Sequence, residues 1–156
     1  MNKFCEITFC QQIGSNKQHN QDALFNGEQV FQYKLKTAET RLETRPRFII
    51  GIADGISNSN RPEKASKSAM HLLSRTAKLS RQTINHVQAT LSQELAEDYF
   101  GSSTTFVAAE IDQTTGKTKI ISVGDSRAYL IDTQGTLEAT DPRSLDTLRI
   151  AGWFVG

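Results

Sequence analysis

Phe48-Ile49-Ile50-Gly51-Ile52-Ala53, closed by Asp54-Gly55, is a run of apolar and small residues without a charge, ended by a turn dipeptide. It is too short for a helix that buries a face, and it lacks helical periodicity. It therefore reads as a strand buried in a sheet. It is also far too short to span a bilayer. Upstream, Phe4, Ile7 and Phe9 lie in one β-like run and residues 23–33 in a second. Between them and the central run, residues 34–47 mix Glu39 and Glu43 with Arg41, Arg45 and Arg47. That stretch is expected to be a solvated loop or ribbon.

Downstream the period changes. Asn60 is placed to cap a helix, with Pro62 in the first turn and Glu63 three residues after the cap. Ala65, Ala69, Leu72, Leu73 and Thr76 then form a helical stripe, and Ile84, Val87, Leu91, Leu95 and Tyr99 form a second, stopped by Gly101. Residues 105–111, 119–123 and 128–132 return to β-branched and aromatic composition, with Thr115-Gly116 and Gln134-Gly135 as turn signals. Asp141-Pro142 is expected to open a last short helix carrying Leu145 and Leu148. Strands, then helices, then strands argue for an α+β fold in which helices pack on antiparallel sheet.

The chain of 156 residues has a formal charge of +1 and 37% hydrophobic residues. The length suits one domain with a real core. No repeat, low-complexity tract or linker divides it, so residues 1–156 are expected to form a single domain. The near-neutral charge gives no reason to expect nucleic acid or an anionic membrane as partner. No signal-peptide pattern opens the sequence. Cys5 and Cys10 are the only cysteines. In one extended strand they would stand about 16 Å apart on opposite faces, which forbids a disulfide. Two scattered thiols fit a reducing compartment, and the cytoplasm is the expected location.

Three acids occupy similar positions. Asp22 opens the second run, Asp54 ends the central run, and Asp125 sits between two late strands. Strand ends of one sheet can hold carboxylates close together. Hard divalent cations such as magnesium take one or two carboxylates plus water. Taken singly, Asp54-Gly55 and Gly124-Asp125 are ordinary turn dipeptides.

The residues around those acids say more. Gly14-Ser15-Asn16-Lys17-Gln18-His19-Asn20-Gln21-Asp22 resembles the Gly-x-Val-Arg-x-x-Asn-Glu-Asp opening motif of the metal-dependent, 2C-type serine/threonine protein phosphatases. The central run with Ala53-Asp54-Gly55 resembles the second motif of that family. Gly101-Ser102-Ser103-Thr104-Thr105 is similar to its Gly-Thr-Thr strand start. Val123-Gly124-Asp125-Ser126-Arg127-Ala128-Tyr129 matches its Val-Gly-Asp-Ser-Arg-Ala-Tyr block almost letter for letter. The resemblance covers residues 14–137 and favours the bacterial members. It implies an α-β-β-α sandwich of two antiparallel sheets flanked by helices. It further implies hydrolysis of phosphoserine or phosphothreonine on a protein substrate by metal-activated water, with two Mg2+ or Mn2+ ions. Carried over by position, Asp22 and Asp54 would be metal ligands, with Asp54 bridging the ions. The Gly55 carbonyl would face a metal, and Asp125 would lie near a third. Ser126 and Arg127 would hold their loop in shape.

The departures are specific. Lys17 stands where the family has a phosphate-gripping Arg, keeping the charge and losing the bidentate fork. Gln21 replaces a Glu that hydrogen-bonds metal-bound water. Ile56 cannot serve as a general acid, and Ser57-Asn58-Ser59-Asn60 is expected to change loop shape rather than chemistry. The family continues with a Ser-Asp-Gly block and a final Asp-Asn pair. Here only Asp132, Asp141 and Asp146 follow Asp125, none in that context. The domain is therefore expected to be truncated. The alternatives to an active phosphatase are a weak or inactive phosphatase-like binding or regulatory module, and a fragment of a longer enzyme. The uncharged Trp153-Phe154-Val155 tail and exposed sheet edges are candidate association surfaces.

Overall fold

A computed structural model of the chain describes residues 4–33, 37–97, 99–133, 135–138 and 147–150. The strands are β1 (Cys5–Phe9), β2 (Asp22–Phe25), β3 (Val30–Phe31), β4 (Glu39–Glu43) and β5 (Arg47–Asp54). Two helices follow, α1 (Pro62–Ser74) and α2 (Arg81–Leu95). The later strands are β6 (Phe106–Asp112), β7 (Lys117–Val123), β8 (Tyr129–Asp132), β9 (Gly135–Glu138) and β10 (Thr147–Ile150).

Six strands form the main sheet in the order β10-β7-β6-β5-β2-β3. The apolar run read from the sequence is thus an interior strand, flanked antiparallel by β2 and β6. One face carries Ala23, Phe25, Ile49, Ala53, Phe106, Ala108, Ile121 and Val123 against the helices. Ala65, Ala69 and Leu73 from the expected stripe of α1 are buried together with Met70, Leu72 is partly buried and Thr76 lies beyond the helix, while Ile84, Val87, Leu91 and Leu95 of α2 are all buried. Fully buried residues such as Leu73 and Ile84 each contribute about 1.5–3 kcal/mol over an exposed position. Gly51 lets α1 come close, since a Cβ there would lie 2.4 Å from a methyl of Leu73. A smaller cluster of Leu24, Phe31 and Phe9 lies apart from the helix-covered core, and β1 pairs with β4 in a separate two-stranded ladder. A β8–β9 hairpin completes the described elements. Helices on antiparallel sheet, α+β, is the class expected.

Several local expectations are corrected. The segment 23–33 is two strands, because Asn26 accepts from the N–H groups of Glu28 and Gln29 and turns the chain. Gly27, at φ +94°, completes that turn. Asn60 does not cap α1. The cap position is Arg61, in a left-handed conformation without a side-chain cap, while the Asn60 amide donates to the Phe100 carbonyl instead. Ser80 caps α2 by accepting from the Thr83 N–H. Helix α2 ends at Leu95, so Tyr99 packs on the core from beyond it. Leu148 lies not in a helix but in β10, which pairs parallel to β7. The rest of that expected helix, with Asp141, Asp146 and the Trp153-Phe154-Val155 tail, lies outside the described residues. Asp132 ends β8.

The charge-dense segment is a ribbon as expected, but it is not uniformly solvated. Glu43 is buried, with its side chain 3% exposed, because its carboxylate collects Arg41 and Arg45. Those guanidinium groups also donate to the Asn26 and Gly27 carbonyls, clamping the β2–β3 turn.

Candidate functional site

The antiparallel register of β2 and β5 sets Asp22 directly opposite Asp54. The Gly55 N–H donates to the Gln21 carbonyl at 3.1 Å. That bond lies beyond the pair, so Asp22 and Asp54 form a non-hydrogen-bonded pair, the kind in which opposed side chains stand closest. Alternation along the strands assigns Ala23 and Ala53 to the helix side and both carboxylates to the other face. Like charges placed directly opposite are destabilising. Partial burial at the sheet end, followed by hydrogen bonding to and repulsion from Asp54, raises the Asp22 pKa from 3.8 to about 6. Two carboxylates opposed in this way repel each other and cost the fold stability unless a proton or a cation stands between them.

Neighbouring segments hold both backbones. Asn20 Oδ1 accepts the Asp22 N–H at 3.1 Å, and Gln11 Nε2 donates to the Asp22 carbonyl at 2.9 Å. The Asp54 N–H donates to Thr105 Oγ1 at 3.1 Å. The Asp54 carbonyl accepts from the Thr105 N–H at 2.8 Å and from Thr104 Oγ1 at 2.9 Å. The Gly-Thr-Thr-like stretch is therefore a brace for Asp54. Gly55 bridges to Thr104, and no side chain fits there. A Cβ would lie 2.5 Å from the Pro62 carbonyl oxygen and 2.6 Å from that of Gln21. Ser66 on α1 donates to the same Gln21 carbonyl at 2.6 Å, so the helix is fastened to the loop that carries Asp22.

Lys17 reaches this strand end from the preceding loop. Its Nζ donates to Ser57 Oγ at 3.2 Å, and Ser57 Oγ donates to Gln21 Oε1 at 2.9 Å. The cation, the Gln21 amide and the turn after Asp54 thus form one chain of contacts. Ser57, in a stretch expected to change loop shape rather than chemistry, is the link between Lys17 and Gln21. Its spacing from Asp54 was visible, but its pairing with Lys17 across forty positions was not.

Asp125 is exposed, in a loop whose Gly124 has φ +90° and would bring a Cβ within 3.0 Å of the Thr105 side chain. The hydroxyls of Ser126 and Thr105 hydrogen-bond to each other, linking this loop through Thr105 to Asp54. Ser126 does hold the loop, as expected. Among the described residues no group of three or more Asp, Glu, His or Cys side chains could hold a metal, so Asp125 does not join the pair in such a cluster. The donor set is two carboxylates at one sheet end, which fits one hard cation completed by water.

No family model and no curated protein matches the chain. Solved structures do. The serine/threonine phosphatase Stp1 from Staphylococcus aureus is 23% identical with a TM-score of 0.60, over 88% of this chain and 52% of that one. The PPM Ser-Thr phosphatase MsPP from Mycobacterium smegmatis, in complex with cacodylate, is 20% identical with a TM-score of 0.51, over 89% and 53%. The serine/threonine phosphatase PstP/Ppp from Mycobacterium tuberculosis is 15% identical with a TM-score of 0.55, over 89% and 54%. The chain has the fold of these phosphatases and spans about half the length of each.

Proposed function

We propose that this chain is part of a 2C-type serine/threonine protein phosphatase, with Asp22 and Asp54 as the carboxylates that hold a divalent cation. The observation that carries the reading is the direct opposition of those two acids at the end of a sheet with this fold. A magnesium or manganese ion there supplies Lewis acidity toward a phosphoryl oxygen and lowers the pKa of water. Lys17 binds the phosphate of a phosphoserine or phosphothreonine, and Ser57 fixes the ammonium. Gln21 lines the same end without adding charge. The Gly55 carbonyl would offer a further oxygen ligand, and Asp125 would be the carboxylate available to an accessory ion. The phosphorus–oxygen ester bond breaks as water adds, and the residue's hydroxyl leaves with a proton. A second ion needs carboxylates beyond the pair.

A second reading is favoured by the same donor count. With two acids grouped among the described residues, one ion is held weakly, and the chain alone is a poor catalyst or a phosphatase-like binding module. The two free thiols support a cytoplasmic location, and no helix among the described residues is long and apolar enough to cross a membrane.

Calorimetric titration of manganese into the chain, Asp54→Asn and Asp125→Asn tests the assignment. Asp54→Asn is expected to lose at least about tenfold in affinity, with a smaller loss in Asp125→Asn. Equal affinities in all three would refute it. Hydrolysis of a phosphothreonine peptide, with Asp54→Asn as blank, separates enzyme from binding module.

A further inference from the structure

Asp22 is held from the side of the sheet away from Asp54 by an unusual contact. Because the two acids form a non-hydrogen-bonded pair, the N–H and C=O groups of Asp22 turn from β5 toward β3. β2 and β3 pair through Leu24–Phe31 and Phe25–Val30. Continued by two residues, that register sets Asp22 opposite Tyr33 and would join the Tyr33 N–H to the Asp22 carbonyl. The ladder is interrupted there instead. Gln11 Nε2 donates to the Asp22 carbonyl at 2.9 Å, and Gln11 Oε1 accepts the Tyr33 N–H at 3.1 Å. The Asp22 N–H goes to Asn20 Oδ1. One carboxamide thus stands between two segments and gives each the group that the other would have given. The reverse orientation would set donor against donor and acceptor against acceptor, so the two contacts fix the amide one way round.

Gln11 is 9% exposed and lies on the segment between β1 and β2. It precedes Gly14, where the resemblance to phosphatase motifs begins, so none of those blocks contains it. A direct bond between Tyr33 and Asp22 would satisfy the same two peptide groups without ordering a glutamine side chain, which costs entropy. The wedge does what the ladder would not. β2 lies between β5 and β3, so closure of Asp22 on Tyr33 would draw it away from Asp54. The Asp54 side repeats the device. The register of β5 and β6 sets Asp54 opposite Thr105, yet its N–H goes to the Thr105 hydroxyl in place of a backbone carbonyl.

We propose that Gln11 is a positioning residue of the cation site, its carboxamide wedged between Asp22 and Tyr33 so that Asp22 stays in place against Asp54. The inference rests on the reading of Asp22 and Asp54 as the carboxylates of a cation site. Gln11 acts through the Asp22 backbone and needs no contact with ion or substrate. Without its amide, the Asp22 carbonyl and the Tyr33 N–H either lose their partner or meet directly. In both cases the Asp22 carboxylate loses its fixed origin. Partners that orient a ligand in this way typically change metal affinity by about 10–100-fold.

The experiment is calorimetric titration of manganese into the full chain as wild type, Gln11→Met, Gln11→Asn and Ile84→Val, with folding checked by circular dichroism. Methionine keeps the length of the side chain without either hydrogen bond. Asparagine keeps the amide on a side chain one methylene shorter, which cannot reach both partners. Ile84 is buried on α2, against the face of the sheet opposite the carboxylates, so Ile84→Val lowers stability alone. Manganese affinity is expected to fall about tenfold in Gln11→Met and about threefold in Gln11→Asn, and to stay within about twofold in Ile84→Val. The electron paramagnetic resonance spectrum of the bound manganese should change in Gln11→Met and match wild type in Ile84→Val. Affinity within about twofold of wild type in the folded Gln11 variants, or an equal loss in Ile84→Val, would overturn the proposal and leave the cation site standing. If Gln11→Met does not fold, wild-type affinity in Gln11→Asn overturns it, and loss of folding in both makes Gln11 a structural residue and overturns it too. No manganese binding by the wild type would remove the cation site and the proposal together.

Discussion

Replacing Glu43 by Gln removes one buried charge without changing side-chain shape, and the structure sets the size of the effect. The carboxylate accepts from the Arg45 N–H and Nε, both at 2.9 Å, pairs also with Arg45 Nη2, and lies 3.2 Å from Arg41 Nη1. Hydrogen bonding to Arg45, working against the cost of burial, lowers the Glu43 pKa from 4.5 to about 2. That difference corresponds to about 3 kcal/mol at neutral pH. Arg45 is half exposed, so water screens its end of the pair, and about 2 kcal/mol is the expected loss. The sign follows from a folded-state pKa below the unfolded one. The stabilisation is fully present above pH 4.5 and is lost as pH falls toward about 2. Glutamine mimics the protonated acid, so the gap between wild type and Glu43→Gln should close over that window. Urea unfolding followed by far-ultraviolet circular dichroism, at neutral pH and in steps down to about pH 2.5, measures it. A difference below about 0.5 kcal/mol at neutral pH, or one that stays constant through the acid range, refutes the reasoning.

Gly55→Ala should destabilise by at least about 2 kcal/mol, because the new methyl meets two backbone oxygens that cannot move independently of Asp22 and α1. Thermal melting checks this, and a melting temperature equal to wild type would contradict it. Thr105→Val keeps the shape of the side chain but strands the Asp54 N–H, for a loss of about 1–2 kcal/mol. Ser126→Ala, which removes only the outer link, should cost less in the same urea titration. Ser57→Ala is expected to leave stability within about 0.5 kcal/mol, since the site is exposed. It should weaken competition by inorganic phosphate about threefold by freeing Lys17; unchanged inhibition would mean that the ammonium is positioned another way.

Some of this was legible from local chemistry. The continuous apolar run ending at Asp54 and the two helical stripes are properties of neighbouring residues, and each became the expected element. The resemblance of four short blocks gave the fold because those blocks are the parts that bend around the strand ends. What failed locally failed for a reason outside the segment. Asn60 has the chemistry of a cap, but the Phe100 carbonyl engages it first, and Arg61 occupies the cap position. Leu148 sits at a helical spacing from Leu145, yet its segment aligns with an open edge of β7.

Sequence alone determined that Asp22 and Asp54 stand at strand ends, that Lys17 puts a positive charge in the loop before Asp22, and that an α+β core could form. Only the tertiary structure decided that those acids are direct partners in register, that Ser57 connects Lys17 to Gln21, and that Glu43 is buried between two arginines. The same holds for the Asn20 Nδ2, buried without a hydrogen-bond partner among the described residues while Oδ1 accepts the Asp22 N–H. Strand periodicity fixes which face a residue takes, but register depends on pairings between segments tens of residues apart. A one-residue slip would reverse every face, and the apolar packing of β5 between β2 and β6 is what selects the register that brings the carboxylates together.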